Sequence, residues 1–257
     1  MPVRKERLDI LVAERGLAET LNRAAAMILA GGVTVAGRVV TKPGTRVAWD
    51  AVISLREETL PFVSRGGIKL AGALDHFGIE VKAKLALDLG ASTGGFTDCL
   101  LQRGAAKVYA VDVGKGLLHW KLRNDPRVQV REEINARYLD ASLVPEPVDL
   151  VTVDVSFISL DKILPALLPL LKAGGVVLAL VKPQFEVGKG EVGKGGVVRD
   201  PAQQQATVDR ISKFARSLGL EEQGRAPSSL KGPKGNQEYF LCLQAGTKEK
   251  KEARAKA

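Results

Sequence analysis

Cysteine, aromatic residues and long apolar segments are all scarce in this sequence of 257 residues, of which 2 are cysteine and 5% are aromatic. Cys99 and Cys242 lie within apolar stretches, without CxxC spacing and without a nearby pair of histidines. A disulfide or a zinc site therefore has little support. We expect two buried, reduced thiols and no metal ion.

The longest apolar run, residues 175–181, has the length of a β-strand. A helix that crosses a bilayer needs about 20 apolar residues. The first residues of the chain contain no apolar segment typical of a signal peptide. The sequence thus predicts a cytoplasmic protein without a membrane partner.

Positive charge is in excess, because 38 Lys and Arg residues against 29 Asp and Glu residues give a net charge of +9. A basic surface attracts polyanions, so nucleic acid is the favoured partner and an anionic membrane is the second. With 45% hydrophobic residues, the chain can bury a substantial core and carry a small second domain.

The first 58 residues differ in pattern from the rest of the chain. Leu8, Leu11 and Val12 have the spacing of one helix face, and Thr20 is placed to cap a second helix. Residues 33–40 are typical of a hairpin between two short strands. A compact module of helices and short strands is therefore predicted.

From Ser64 onward, the pattern changes to alternating helices and strands. Ser64 can cap a helix that carries Lys69 and whose apolar stripe includes Ile68 and Phe77. The following strands are predicted near residues 85–89, 107–112, 127–131, 148–153 and 175–181, and the helices near 94–103, 116–124, 160–172 and 201–218. This alternation indicates an α/β domain with a parallel sheet that is wrapped by helices on both faces.

The last apolar segment, residues 238–243, follows a Gly-, Pro- and Lys-rich loop without an intervening helix. A chain that returns through a loop alone forms a hairpin, which predicts an antiparallel strand at the end of the sheet. Residues 247–257 alternate in charge and lack large apolar side chains, so we expect a basic, disordered tail.

A glycine-rich loop begins at Gly90, directly after the first predicted strand of the sheet, and Asp112 ends the second strand 22 residues later. Glycine lets a ligand approach the backbone, and an acid at this separation can bind ribose hydroxyls. The Gly-x-x-x-Gly-Gly spacing differs from the Gly-x-Gly-x-x-Gly that wraps a pyrophosphate, which favours S-adenosylmethionine. The alternative is that these glycines only turn a strand into a helix.

Residues 188–194 have the Gly-x-x-x-x-Gly-Lys spacing of a phosphate-binding loop. Such a loop needs Ser or Thr next and a helix that begins at once, whereas Gly195 and Gly196 follow here. We interpret the segment as a basic loop that could close over a substrate.

Asp154 and Lys182 end two predicted strands that are apolar up to those residues. An ionisable residue in this position points into the crevice where ligands bind in a doubly wound sheet. Opposite charges on neighbouring strand ends therefore indicate a functional cluster. A structural ion pair is the alternative.

The N-terminal module contains nine Lys and Arg residues against seven Asp and Glu residues, so its net charge alone does not identify a partner. Arg4, Arg7, Arg23 and Lys42 form a phosphate-binding patch if the two helices bring them together. The alternative is a solvated charged surface.

Several segments resemble known families. Arg7-Leu-Asp9, Leu21-Asn-Arg23 and the segment from Gly32 to Arg38 resemble the S4 RNA-binding domain. The segments Phe62–Leu70, Leu87–Phe96 and Val181–Phe185 look like the TlyA family, and the match covers nearly the whole chain. Asn22 and Ala36 depart from the usual S4 pattern, which has Ser and Asn at these positions, but neither removes a charge.

The resemblance implies a ribosomal RNA 2′-O-methyltransferase that acts on cytidine, with ribosomal RNA or ribosomal subunits as partners. It implies an S4-like RNA-binding domain over residues 1–58, a linker over 59–63, a Rossmann-like class I methyltransferase domain over 64–246 and the basic tail over 247–257. A monomer is the default expectation for the oligomeric state.

The resemblance also carries residue roles onto this sequence. The implied catalytic tetrad is Lys69, Asp154, Lys182 and Glu238. The implied cofactor-binding residues are Asp88, Gly90, Ala91, Ser92, Thr93, Gly94, Gly95, Phe96, Asp112, Val113 and Asp154. The residues expected to bind RNA are Arg4, Arg7, Arg23, Lys42, Arg65 and Phe157.

Lys182 is the residue expected to orient and deprotonate the 2′-hydroxyl. A nearby second cation, Lys69, would favour its neutral form, whereas Asp154 and Glu238 would favour its charged form. Phe157 either stacks on the target base or belongs to the buried core.

Two other classes of function stay open from the sequence. The first is an RNA-binding assembly factor that uses its cofactor pocket structurally, which the complete tetrad disfavours. The second is a membrane-lytic protein, because some members of the resembled family are labelled haemolysins. The sequence shows no segment that is long or amphipathic enough to insert convincingly into a bilayer.

Overall fold

The computed structural model describes residues 4–18, 20–55, 61–188, 190–193, 195–232 and 234–246. The expected tail over 247–257 lies outside the described residues, as do residues 56–60, which include the first two residues of the linker expected over 59–63. Within the described part, no helix is long and apolar enough to cross a membrane.

The N-terminal module contains two helices and five short strands. Its elements are β1 (Lys5–Arg7), α1 (Leu8–Glu14), α2 (Leu21–Leu29), β2 (Val33–Val35), β3 (Arg38–Val39), β4 (Arg46–Ala48) and β5 (Ile53–Leu55). Thr20 caps α2 as expected, because its side-chain oxygen accepts a hydrogen bond from the backbone N–H of Arg23 at 3.1 Å. The predicted hairpin is β2–β3, and Ala36 and Gly37 form its turn with φ angles of +47° and +76°.

The rest of the described chain forms one seven-stranded sheet with helices on both faces. Its elements are α3 (Arg65–Phe77), β6 (Leu85–Leu89), α4 (Gly95–Gln102), β7 (Lys107–Val111), α5 (Trp120–Arg123), β8 (Val128–Arg131), β9 (Val148–Val153), α6 (Leu164–Leu167), β10 (Leu171–Val181), α7 (Pro183–Glu186), α8 (Pro201–Ser217), β11 (Leu220–Pro227) and β12 (Tyr239–Ala245). The strand order is β11-β12-β10-β9-β6-β7-β8. Strands β6 to β10 pair in parallel, whereas β12 runs antiparallel to both of its neighbours. The predicted α/β fold with an antiparallel last strand is confirmed.

Alternate residues of each central strand enter two different cores. In β9, Val151 and Val153 pack on the face covered by α6 and α8, whereas Leu150 packs on the face covered by α3 and α4. Cys99 and Cys242 lie in the second core as free thiols, and burial raises the pKa of Cys99 to about 12. The prediction of buried, reduced cysteines is confirmed.

Two of the predicted helices were too long. The helix expected over 116–124 is only α5, because the chain first turns at Gly116, which has a φ of +68°. The helix expected over 160–172 is broken into α6 and two 3₁₀ turns, Leu160–Lys162 and Leu168–Leu170. Pro165 and Pro169 lack the N–H that a continuous helix needs.

Two further predictions were wrong, namely the buried face of α3 and the position of β12 in the sheet. The buried face of α3 is formed by Leu70, Ala73 and Leu74, whereas Ile68 is only half-buried, so the predicted stripe was rotated. The expected position of β12 at the end of the sheet was wrong, because β11 forms the edge. Strand β11 contains few β-forming residues and is interrupted by an irregularity near Gly224, so its pattern was weak.

Candidate active site

The loop after β6, residues 90–94, is called the Gly90 loop. Gly90 has a φ of +85°, and a Cβ at this position would lie 2.8 Å from the carbonyl oxygen of Asp154. Gly94 has a φ of +95°, and a Cβ there would overlap Leu118 and Leu122. Glycine is required at both positions for the turn and for the close packing of the loop against its neighbours.

Asp112 joins the Gly90 loop to the loop that follows β7. Its Oδ2 accepts the N–H of Ser92 at 2.8 Å, and its Oδ1 accepts the N–H of Gly114 at 2.7 Å. A carboxylate has about four acceptor positions, so two remain for a ligand beside this half-buried side chain. Val113, the next residue, exposes its side chain beside Asp112.

Asp88 lies beneath the Gly90 loop. Its side chain is fully buried, and its two oxygens accept the hydroxyls of Thr97 at 2.7 Å and Thr152 at 3.1 Å. Burial raises the pKa of Asp88 to about 7. With both oxygens already engaged, Asp88 can support the loop from below.

Other predicted cofactor residues also face inward. Phe96 is buried with its ring stacked on Phe240, and a Cβ on Gly95 would lie 2.8 Å from the backbone nitrogen of Gly67. Ala91 and Thr93 contribute backbone carbonyls that accept the N–H groups of Gly94 and His119, respectively. The structure places these groups in the wall of the loop, whereas Asp112 and Val113 stand at its opening.

The four tetrad residues form two ion pairs. Lys182 Nζ lies 2.5 Å from Asp154 Oδ1, and it donates to the hydroxyl of Ser156 at 3.1 Å. Lys69 Nζ donates to Glu238 Oε2 at 2.6 Å. All four side chains are buried or nearly so.

The sheet brings both pairs to the edge at which the Gly90 loop lies. Lys182 directly follows Val181, which is paired with Tyr239, and Glu238 directly precedes Tyr239. Asp154 donates its N–H to the carbonyl of Leu89, the residue before Gly90. Two cations, two carboxylates and the opening beside Asp112 therefore share one end of the parallel strands.

Phe157 extends from the loop that follows Asp154, called here the Phe157 loop (residues 155–163). The side chain is 89% exposed, so the interpretation of Phe157 as a core residue was wrong. Its φ is +65°, a conformation that bulky residues rarely adopt, and such strain is found mainly at functional sites. Its ring lies 4.8 Å from that of Phe185.

Glu186, in α7, anchors the Phe157 loop. Its carboxylate accepts the hydroxyl of Ser159 at 2.5 Å and the N–H of Leu160 at 2.8 Å, and it forms an ion pair with Arg210 at 2.7 Å. Burial raises the pKa of Glu186. The sequence reasoning missed this anchor, because its three partners lie 24 to 27 residues away and no local pattern joins them.

The five cations expected to bind RNA have different local surroundings. Arg4 lies 4.1 Å above the ring of Trp49, and Arg7 forms a two-pronged pair with Asp9. Lys42 is exposed on the module. Of the other two cations, Arg65 has its aliphatic stem beside Gly31, and Arg23 faces the part of the chain that forms the seven-stranded sheet.

The phosphate-loop spacing at 188–194 does not form a phosphate-binding loop. Gly195 and Gly196 have φ angles of +83° and +78°, and the next helix begins only at Pro201. Lys189 and Lys194 lie outside the described residues.

Comparisons with known proteins agree with this architecture. Residues 62–245 match the FtsJ-like methyltransferase family, and residues 6–53 match the S4 domain. The chain is 48% identical over 245 residues to the 16S/23S rRNA (cytidine-2'-O)-methyltransferase TlyA of Mycobacterium tuberculosis, which covers 95% of this chain and 91% of that relative.

Two further relatives carry a different name. Hemolysin A of Brachyspira hyodysenteriae is 42% identical over 235 residues, which are 91% of this chain and 98% of that relative. A solved structure from Streptococcus thermophilus, named as a candidate hemolysin, has a TM-score of 0.73 at 42% identity and covers 95% of this chain and 90% of that chain.

Proposed function

The chain belongs to the TlyA family of FtsJ-like methyltransferases with an S4 domain, and on this basis we propose that it methylates a ribose 2′-hydroxyl of ribosomal RNA. The observation that carries the proposal is the arrangement of two nearly buried Lys–carboxylate pairs beside the Gly90 loop. Such a site supplies what methyl transfer to a hydroxyl needs, namely alignment and removal of one proton.

S-adenosylmethionine is the methyl donor that fits the residues beside the Gly90 loop. Asp112 keeps two acceptor positions for ribose hydroxyls, and Val113 offers an exposed apolar side chain beside them. Bound there, the donor supplies a methyl group on a positively charged sulfur, and that charge disappears on transfer. Gly90 and Gly94 give the loop the positive φ angles and close packing that bring its backbone beside Asp112.

Lys182 is the residue that we assign to the 2′-hydroxyl. Asp154 and Ser156 fix its Nζ from two sides, which limits the positions that the amine can take. With S-adenosylmethionine bound, the methyl group would pass from sulfur to the ribose oxygen, and Lys182, acting as the base, would take the hydroxyl proton.

The Lys69–Glu238 pair has a separate role in this proposal. Glu238 neutralises Lys69 directly, so Lys69 acts on the site as part of a dipole and not as a free cation. The pair joins α3 to the residue before β12, the strand that pairs with β10 beside Lys182. We assign it to the positioning of the ribose.

RNA is the proposed substrate because an S4 domain precedes the catalytic domain. The module can add affinity through phosphate contacts from exposed cations such as Lys42. Phe157 is assigned to stacking on the target base, since its exposed ring stands four residues after the end of β9. Cytidine is the proposed target nucleoside, because the relative from Mycobacterium tuberculosis is named for it.

Lys182→Ala tests the assignment. We expect methyl transfer to ribosomal subunits from cells lacking the gene to fall by at least about 100-fold. Affinity for S-adenosylmethionine, measured by calorimetry, should change little, because Asp112 and the Gly90 loop are untouched. The matched control is Lys172→Ala, which removes a lysine near the opposite end of β10 that pairs with Asp149 of β9 at 2.8 Å. A folded, fully active Lys182→Ala protein would refute the role.

Mapping of 2′-O-methyl groups tests the substrate. Ribosomal RNA from a deletion strain should lack at least one 2′-O-methyl cytidine that the gene on a plasmid restores. Restoration by the Lys182→Ala gene as well would favour a non-catalytic assembly factor.

A further inference from the structure

A cleft of about 630 Å³ separates the N-terminal module from the catalytic domain. Its volume is in the range of about 300–1,000 Å³ typical of small-molecule sites. Six residues of the module and five residues of the catalytic domain form its walls: Leu17, Ala18, Thr20, Arg23, Ala26, Met27, Gly116, Leu117, Leu118, Trp120 and Arg123. None of these residues has a role in the tetrad or at the opening beside Asp112.

The charged groups of the cleft are cationic. Arg23 enters from the module and Arg123 from the catalytic domain. Arg123 is paired with Glu132 at 2.5 Å, so its charge is partly compensated. Burial and then the charge of Arg23 lower the pKa of His119, which agrees with the placement of Arg23 close to the catalytic domain.

Trp120 is the aromatic side chain of the cleft, and it is 63% exposed. A large ring left in water beside arginines is a typical stacking platform for unpaired bases. The Gly90 loop holds it in place, because His119 donates its N–H to the carbonyl of Thr93 and Leu122 packs on Gly94. A ligand on Trp120 therefore lies against the segment that borders the proposed active site.

The exposed apolar side chains of the catalytic domain follow a pattern that links the cleft to that site. Among the described residues from 61 onward, the exposed large hydrophobic side chains are those of Val113, Trp120, Tyr138 and Phe157. They lie on the segments that follow β7, β8 and β9, whose carboxyl ends form one edge of the sheet. Trp120 and Phe157 thus belong to one rim.

We propose that the cleft binds a single-stranded nucleotide of the RNA substrate other than the methylated one, with its base on Trp120 and its phosphate beside Arg23. The proposal rests on the proposed function. Guanidinium and aromatic groups together favour a nucleotide over an apolar ligand. A base must be unpaired to stack on a side chain, which favours a loop or an end of the RNA over a duplex. Binding at both Trp120 and Phe157 would fix which nucleotide reaches Lys182.

Trp120→Ala is the first test, with deproteinised ribosomal RNA in a filter-binding assay and ribosomal subunits in a methylation assay. We expect RNA affinity to fall by about 5- to 100-fold, as loss of one stacked base does elsewhere. KM for subunits should rise, whereas kcat and the affinity for S-adenosylmethionine should stay within about twofold. Trp120→Phe, which keeps a ring, should restore most of the affinity. Val52→Ala removes an exposed side chain of the module outside the cleft and should have no effect.

Arg23→Gln is the second test. RNA affinity should fall, and the slope of its logarithm against the logarithm of salt concentration should decrease by about one. Arg216→Gln, on the exposed end of α8, is the charge-matched control and should leave the slope unchanged.

Three outcomes separate the proposals. If the unmodified chain neither binds nor methylates RNA, the proposed function fails. If it methylates normally and both Trp120→Ala and Arg23→Gln retain normal affinity, only the cleft site is refuted. If Trp120→Ala impairs methylation of subunits but binds deproteinised RNA normally, a ribosomal protein occupies the cleft, which also overturns the proposal.

Discussion

Lys69, Asp154, Lys182 and Glu238 have side chains that are only 1% to 21% exposed. Ion pairs in such surroundings add little net stability, because removal of two charges from water offsets their attraction. Surface pairs such as Lys115–Glu133, by contrast, lose little hydration when they form, and they contribute little to the stability of the fold. The burial of both tetrad pairs at a strand edge is therefore better explained by chemistry than by stability.

The exposed ring of Phe157 is likewise better explained by function than by stability. Phe157→Ala should lower kcat/KM for ribosomal subunits by about 10- to 100-fold, because the stacking surface is lost. The free energy of unfolding should change by less than about 0.5 kcal/mol, since the side chain is exposed. Steady-state kinetics and urea denaturation measure the two effects. Unchanged kcat/KM would contradict the stacking role, and Phe157→Trp should retain most of the activity.

Asp88 should make stability depend on pH. Its pKa is raised from 3.8 to about 7 in the folded chain, so between those values the folded state keeps a proton that the unfolded state releases. The contribution of Asp88 to stability therefore decreases as pH rises from about 4 to about 7, and it is constant above that.

Asp88→Asn removes this titration. The unfolding free energy of the variant, relative to the original chain, should rise across that pH window by at most about 1.4 kcal/mol per pH unit. The hydroxyls of Thr97 and Thr152 can each donate or accept, so an amide can replace the carboxylate. Urea denaturation at several pH values gives the comparison, and parallel curves for the two proteins would contradict the prediction.

Helix α7 is only four residues long, yet it connects two parts of the site. It begins directly after Lys182, and Glu186 at its end anchors the Phe157 loop through Ser159 and Leu160. Phe185 packs against Phe157 in the same place. The helix thus fixes the distance between Lys182, the proposed proton acceptor, and the ring of Phe157, which is proposed to stack on the target nucleotide.

Glu186→Ala should therefore lower kcat by about 10- to 100-fold through misplacement of the Phe157 loop. It should also destabilise the fold by about 1–3 kcal/mol, because Ser159 and Leu160 lose a buried acceptor. In Glu186→Gln, the amide oxygen can accept the N–H of Leu160 and the amide NH2 can donate to the hydroxyl of Ser159, so this variant should recover most of the activity.

Glu222→Ala is the control for this helix. Glu222 also accepts a serine hydroxyl of α8, that of Ser212, and pairs with an arginine, Arg225, but it lies on the edge strand β11. Its loss should lower thermal stability and leave kcat unchanged. If both variants lose stability and neither loses kcat, the positioning role of α7 is wrong.

At the scale of the whole molecule, a net charge of +9 and an S4 domain in front of the catalytic domain predict a strong electrostatic contribution to RNA binding. Release of counterions makes such binding fall steeply with salt. If six or more phosphates are contacted, affinity for ribosomal RNA should fall by at least about 1,000-fold between 50 and 200 mM KCl. Filter binding measures this, and a flat response would contradict a role for phosphate contacts.

The role proposed for the cleft depends on the arrangement of the two domains. Neither the module nor the catalytic domain forms the cleft alone, because its walls come from both. RNA held by the module would therefore be presented to the rim that carries Trp120 and Phe157. The relative position of the two domains would then place the bound RNA at the catalytic residues, and base-specific contacts would not be needed at every step.

Much of the fold followed from the sequence. The five parallel strands, β12, the Gly90 loop, the cap at Thr20 and the free cysteines were predicted correctly, because each depends on residues close together in the chain, whereas β1, β4 and β5 of the module were not predicted. The two broken or shortened helices and the missed edge strand β11 show where local pattern is weak. The family, too, was evident from short motifs, and the comparisons confirm it.

Only the tertiary structure decided which charges pair and which rings face water. Lys69 and Glu238 are 169 residues apart, and the order of strands in the sheet brings them together. The exposure of Phe157, the anchor at Glu186 and the cleft beside Trp120 likewise depend on contacts between distant segments. The physical reason is that periodicity reports on neighbours along the chain, whereas burial and ion pairing depend on neighbours in space.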